Sequence, residues 1–223
     1  MGPHLRLVRF YSLAVLCGTT LGSCWAQVPQ SGHTYAPNAT TVAILPVVNK
    51  TGLSDDDEMG NLTKAVSTEI EHQLAGRGFK VITGKPIKDA TTRLSIDLKD
   101  EEQHKRSLLR SVGREVGADM LAFVVITDVD SKTEGGLGIS TASANAKIKC
   151  WLLDVGSERS LMSAKIEAAR SDSGIRLGAY GGQFPKIIQA CVLGVTHAFE
   201  RVLSPYPFLT KDGRVKNGDH GRE

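Results

Sequence analysis

The sequence predicts an α/β protein: a mixed β-sheet flanked by about three helices, in the order β-α-β-α-β-β-β-α. Three observations carry that prediction. In the first half, short apolar runs closed by turn residues (42–48, 79–83, 118–129) alternate with segments whose apolar residues recur at helical spacing. After residue 143, two runs alternate strictly between apolar and polar across a short polar turn, the pattern of an antiparallel hairpin. A final amphipathic segment over 184–203 closes the pattern.

Composition sets the frame for these elements. The chain has 223 residues, 41% apolar and 23% charged, which suits one globular domain with an ordinary core. Aromatics are only 5%, so Val, Ile, Leu and Ala must fill that core. The formal charge is +3, and Arg6 and Arg9 supply two of those charges, so a chain starting near residue 24 carries about +1. A near-neutral domain lacks the electrostatic footprint of a nucleic-acid binder.

Residues 1–26 read as an export signal. Arg6 and Arg9 form the positive end, and the apolar run at 10–16 is too short to span a bilayer. Leu21-Gly22-Ser23-Cys24 has the pattern of a bacterial lipobox, in which Cys24 is lipidated and becomes the first mature residue. Ordinary cleavage after Ala26 is the competing reading. The sequons at Asn38, Asn49 and Asn61 are chance matches if the signal is bacterial. Residues 27–40, with two prolines and no periodicity, read as a tether, and the domain is expected over 41–205.

Residues 42–48 form a buried strand in which Pro46, lacking an N–H, calls for an edge or a bulge. A helix is expected from Ser54, with Asp55, Asp56, Asp57 and Glu58 at the positive end of its dipole. Met59, Leu62, Val66, Ile70 and Leu74 make its inner face, and Gly76 and Gly78 stop it. A second strand follows at 79–83, and residues 87–99 fit no single pattern. A second helix is expected over 100–116, with Leu108, Leu109, Val112 and Val116 inward and Glu101, Glu102, Lys105, Arg106 and Arg110 outward. The run 118–129 is the most apolar strand of the domain and belongs in the middle of the sheet. In the hairpin, Ala144, Ala146, Ile148, Cys150 and Leu152 share one face, continued by Met162, Ala164, Ile166 and Ala168. The closing helix shows Ile188, Cys191, Val195, Ala198 and Val202 as its inner stripe. Ile44, Phe123, Val125, Ile148, Ile166, Ile188 and Val195 are expected to meet in one interior. Residues 206–223 are polar and Gly-rich and read as a disordered tail.

The opening Val42-Ala43-Ile44-Leu45-Pro46-Val47-Val48-Asn49 resembles the signature of the CsgG-like superfamily. That group includes curli secretion lipoproteins, lipoprotein activators of penicillin-binding proteins and the N-terminal domain of TolB. Gly117-Ala118-Asp119 before a long apolar strand stands where the family has its "GAD". Trp151-Leu152-Leu153-Asp154-Val155 resembles the family's hairpin before its Thr-Gly-Glu turn, which here reads Gly156-Ser157-Glu158. The resemblance spans about 41–205. It implies an envelope lipoprotein without enzymatic activity that assists or regulates an assembly machine through envelope-protein partners. It leaves homo-oligomers open, as it does the alternative of a curli-type secretion subunit. It implies a periplasm-facing location, on an outer-membrane lipid anchor or soluble.

There is no Gly-x-Ser-x-Gly elbow and no His-Glu-x-x-His, and His72, His104 and His197 stand apart without partner cysteines. Asp128-x-Asp130 begins like a calcium loop, but Lys132 takes the third ligand position, which leaves strand-end acids. Gly135-Gly136-Leu137-Gly138 lies between strands and reads as a hairpin tip, since a phosphate loop needs a helix after it. No catalytic, cofactor or metal residue is expected; an envelope hydrolase is the reading these residues favour least. Cys150 and Cys191 both fall on apolar faces, where either a disulfide or two packed thiols is open.

Overall fold

The computed structural model describes residues 35–52, 58–136, 139–174 and 183–209. Its strands are β1 (Thr41–Ile44), β2 (Val48–Asn49), β3 (Lys80–Ile82), β4 (Met120–Gly136), β5 (Ile139–Asp154) and β6 (Ser160–Gly174). Its helices are α1 (Glu58–Ala75), α2 (Lys85–Arg93), α3 (Arg106–Glu115) and α4 (Gln183–Leu203), with 3-10 turns at Pro37–Ala39 and Glu101–Gln103. They form one mixed sheet in the order β3-β1-β4-β5-β6. β1 runs parallel to β3 and β4, and β2 continues beside β4 with Val48 opposite Val125. β4, β5 and β6 form an antiparallel meander. The α/β class and mixed sheet agree with the sequence reading; α2 and β2 are additional.

Both faces of the sheet are covered near β1, which divides the interior in two. On one face, α1 and α4 pack over Val42, Ile44, Val124, Ile126, Ala146, Ile148, Leu152, Ala164 and Ile166. Leu62, Val66, Ile70 and Leu74 are fully buried on α1, and burying each is worth about 1.5–3 kcal/mol. On the other face, α2 and α3 cover Ala43, Leu45, Leu121, Phe123, Val125 and Leu153 with Ile87, Leu109 and Val112. The expectation of one interior is therefore corrected. Phe123 and Val125 point away from Ile44, Ile148, Ile166 and Val195, because successive side chains of a strand point to opposite faces. Gly194 brings α4 close to the sheet: a Cβ there would lie 3.1 Å from Ala168 Cβ and 3.2 Å from Ile148 Cδ1.

Local departures have local causes. The strand over 42–48 is interrupted at 45–47, where the exposed Pro46 has no N–H to give β4. Residues 85–93, which overlap the 87–99 segment that fits no single pattern, are helical. Gly84 turns the chain at φ 71° and Pro86 sits in the first turn. The helix expected from residue 100 begins at Arg106. Asp100 instead caps the 3-10 turn, accepting from Glu102 N at 3.0 Å. On α3 Leu108 is 37% exposed and Arg110 is buried, the reverse of the sequence reading. On α4 Ile187, Phe199 and Leu203 are fully covered, while Ile188 and Val202 are only partly so. The helix start at Ser54 lies outside the described residues. The packed chain also reaches past the bounds read from sequence, to Tyr35 and to Leu209, whose N–H donates to Gly76 O at 2.7 Å.

Candidate functional site

α2 and α3 cover only one end of their face of the sheet, and the register shows where cover ends. Phe123, Trp151 and Ser163 form the last row beneath or beside α3. The next rows are Val125, Lys149 and Lys165, then Asp128, Lys147 and Glu167, then Asp130, Asn145 and Ala169. A register shift between Ile126 and Asp128 adds one residue to β4 there. Asp128, Asp130, Asn145, Lys147, Lys165 and Glu167 are exposed. The result is an open, charged half-face rimmed by an aromatic step.

The step is built on Phe123 and Trp151, directly opposed across β4 and β5 and stacked at 5.4 Å between centroids. The His104 ring meets Phe123 edge-on at 5.0 Å, and its Nε2 lies 2.7 Å from Leu98 O. Half of Trp151 thus stays at the surface on a rigid support. Beside it, Lys149 Nζ donates to Glu101 Oε1 at 2.7 Å, and Lys50 Nζ stands 3.6 Å from Glu101 Oε2. The hydrogen bond from Lys149, then the charges of Lys149 and Lys50, hold the Glu101 carboxyl below its ordinary range. Lys147 Nζ lies 2.9 Å from Asp128 Oδ2, and that bond raises the lysine. Arg106 reaches across to Ser163 Oγ at 3.3 Å. The face thus sets a half-buried aromatic side chain and an arginine among ion-paired lysines and acids.

The opposite end of the sheet carries a clasp. Tyr35 OH donates to Asp154 Oδ2, and Tyr35 N–H donates to Tyr206 Oη at 3.0 Å. Burial, then the Asp154 carboxylate, push the Tyr35 phenol up. Burial also pushes the Asp154 carboxyl up, but hydrogen bonds from Tyr35, Ser157 and Gly156 outweigh it and hold it below its usual range. Arg110 donates to the carbonyls of Asp154, Glu158 and Arg159 at 2.6–2.8 Å, which explains its burial. Segments that precede and follow the domain are thereby tied to one turn.

The residues singled out by sequence fall as follows. Cys24, the proposed lipid site, lies outside the described residues. Cys150 and Cys191 are both buried and not joined in a disulfide, and burial pushes the Cys191 thiol up to about 12. His72 and His197 are exposed and far from His104 in sequence, and among the described residues no group of three or more His, Cys, Asp or Glu could hold a metal. Asp128 and Asp130 are mid-strand, since β4 runs on to Gly136. Gly136 pairs with Ile139; Leu137 and Gly138, read as part of a hairpin tip, lie outside the described residues. No described helix is long and apolar enough to cross a membrane. The polar half-face itself was legible as alternation, but Glu101 and Trp151 were not marked, because their partners come from distant segments.

No family model matches the chain, and no curated protein matches it. Solved structures do. Lipoprotein GNA1162 from Neisseria meningitidis is similar at 14% identity and a TM-score of 0.40, over 71% of this chain and 99% of that one. The LpoB C-terminal domain from Salmonella enterica is similar at 15% identity and 0.36, over 59% and 84%. A PelC dodecamer from Paraburkholderia phytofirmans is similar at 13% identity and 0.37, over 82% and 96%.

Proposed function

We propose that this protein is a non-enzymatic cell-envelope lipoprotein, a protein-binding module that assists or regulates an envelope assembly machine. The observation that carries the reading is the open half-face: a supported Trp151 beside the Lys50–Glu101–Lys149 cluster. The export signal and Leu21-Gly22-Ser23-Cys24 place it, in this reading, on a lipid anchor facing the periplasm. Its partners are envelope proteins, bound on the half-face that α2 and α3 leave open.

A photo-crosslinking amino acid tests this. Placed at Lys147 on the open face, it should give a discrete protein adduct in intact cells; at Lys88 on α2, also exposed, it should not. Absence of an adduct at Lys147, or equal adducts at both positions, would refute the assignment of the face.

A second reading, a subunit of a curli-type secretion complex, is favoured by one observation: β4, β5 and β6 run for 17, 16 and 15 residues. Against it, the last buried row is Ser131, Ala144 and Arg170, in which only Ala144 is buried. Beyond that row, 132–136 and 139–143 supply five residues each. A membrane-spanning strand needs roughly 9–11.

A further inference from the structure

We propose that β6 is a self-association edge: two copies of this chain join their sheets by pairing β6 antiparallel with β6, centred on Ile166. The proposal goes beyond the envelope reading and does not depend on it.

β6 is 15 residues long and ends the sheet, so among the described residues its outer edge has no strand partner. Such an edge offers a row of N–H and C=O groups to another strand. A two-fold pairing there has its axis perpendicular to the sheet, and each face stays on its own side. Opposed residues must then come from the same face, which admits only every second register.

Charge selects among those registers. Centred on Ile166, the pairing sets Lys165 against the partner's Glu167, and does so twice. On the helix-covered face it sets Ile166 against the partner's Ile166 and Ala164 against the partner's Ala168. All three are buried positions, 4–9% exposed, so the apolar layer runs on across the junction. The neighbouring register centred on Lys165 opposes two lysines, and the one centred on Glu167 opposes two glutamates. Like charges directly opposite destabilise a pairing, and unlike charges stabilise it.

Both charges are accessible. The Lys165 and Glu167 side chains are exposed, and Glu167 acts on Lys147 through its charge. Within its own chain Lys165 stands opposite Lys149, whose ammonium is held by Glu101. Glu167 stands opposite Lys147, which is held by Asp128. In the dimer Asp128, Lys147, Glu167 and the partner's Lys165 alternate in sign across the junction.

The helices leave room. α4 lies over β5 and β6, and strands are about 4.8 Å apart, so the two α4 axes would stand about 10–14 Å apart. Helices pack at about 8–10 Å, so the copies do not collide.

Sedimentation velocity of the purified exported protein, in a density-matched detergent over a wide concentration range, tests the proposal. A concentration-dependent dimer is expected. Lys165→Glu and Glu167→Lys should each weaken it about tenfold or more, since each turns two attractions into two repulsions. The double variant should restore it. Melting curves of all three should match the wild type under conditions where it is monomeric, because both side chains are exposed. A monomer at every concentration, a ring-sized oligomer, or a double variant as weak as the singles would overturn the proposal.

Discussion

Ile148→Ala and Lys149→Ala are neighbours in sequence whose losses should differ severalfold. Ile148 is 1% exposed and packs under α4, with its Cδ1 3.2 Å from where a Cβ on Gly194 would stand. Truncating a buried isoleucine costs about 2–5 kcal/mol, depending on how far the site collapses. Here it collapses little. Gly194 has no side chain to move in, and Ala168 can offer no more than a methyl. The upper range, about 3–5 kcal/mol, is therefore expected. In a domain of this size each kcal/mol lowers the melting temperature by about 2–4 °C, so the loss is about 6–20 °C. Lys149→Ala removes one ion pair with the exposed Glu101, which solvent screens, so its melting temperature should fall by a few degrees at most. Thermal melts followed by circular dichroism decide it. Equal losses would mean that the register of β5 against β4 and β6 is not the one described.

The clasp predicts a pH profile. Asp154 titrates below its ordinary value in the fold, so its contribution is present above about pH 4 and is lost as the pH falls further. The Tyr35 phenol is raised, so its contribution is present below about pH 10 and is lost above it. Urea titrations across pH should show Asp154→Asn flattening the acid limb and Tyr35→Phe the alkaline one; unchanged limbs would mean that the clasp does not hold in solution. Gly194→Ala should destabilise less in an Ile148→Val background than alone, because the shorter side chain removes the Cδ1 that the new methyl would meet; additive losses in a double-mutant cycle would refute that contact. Cys24→Ala should move the protein from the membrane fraction to the soluble one; a wild type already soluble, with Gln27 as its first residue, would overturn the lipid anchor. Purified protein added to planar bilayers should give no stable conductance steps, and steps accompanied by ring-shaped particles would restore the channel reading.

What the sequence made legible follows from what period carries. α1 and the β5–β6 hairpin each show one buried face, so their inner residues could be named: Leu62 to Leu74, and Ala144 to Ala168. α2 was missed because it buries only Ile87 and Ala90, and because Thr91 and Thr92 are poor helix formers whose hydroxyls bond back to Ile87 O and Lys88 O. Gly84 and Pro86 were the signal that could have found it. Arg110 was misplaced for another reason. A guanidinium counts as polar in any periodic reading, and only the fold brings three carbonyls of the 154–159 turn within its reach. The candidate face was half legible. Lys147, Lys149, Lys165 and Glu167 alternate as a wet face should, but Glu101 reaches Lys149 across 48 residues, and no local pattern encodes that.

The clasp and the proposed dimer together constrain how the molecule would sit on a membrane. Tyr35 is fixed at the Asp154 end of the sheet, near the start of β6. From Ser160 to Ile166 is six strand steps, about 20 Å, so the two clasps would stand about 40 Å apart on opposite sides of the dyad. From Cys24 to Tyr35 the chain can reach at most about 36–40 Å. If Cys24 carries the proposed lipid, two anchors in one bilayer related by the same dyad favour the arrangement with that axis along the membrane normal. The joined sheet then lies parallel to the membrane, with one face toward lipid and the other toward the periplasm. Both open charged half-faces fall on the same side of such a sheet, because the pairing keeps faces together. With that side toward the periplasm, a partner would meet two Trp151 steps and two Glu101 clusters at once, and divalent contact raises avidity without any new bond. A monomer on a single tether has no such constraint and presents its face in any direction. The Lys165–Glu167 swap thus separates two effects: single variants should weaken partner capture through lost avidity while leaving the open face intact, and the double variant should recover it.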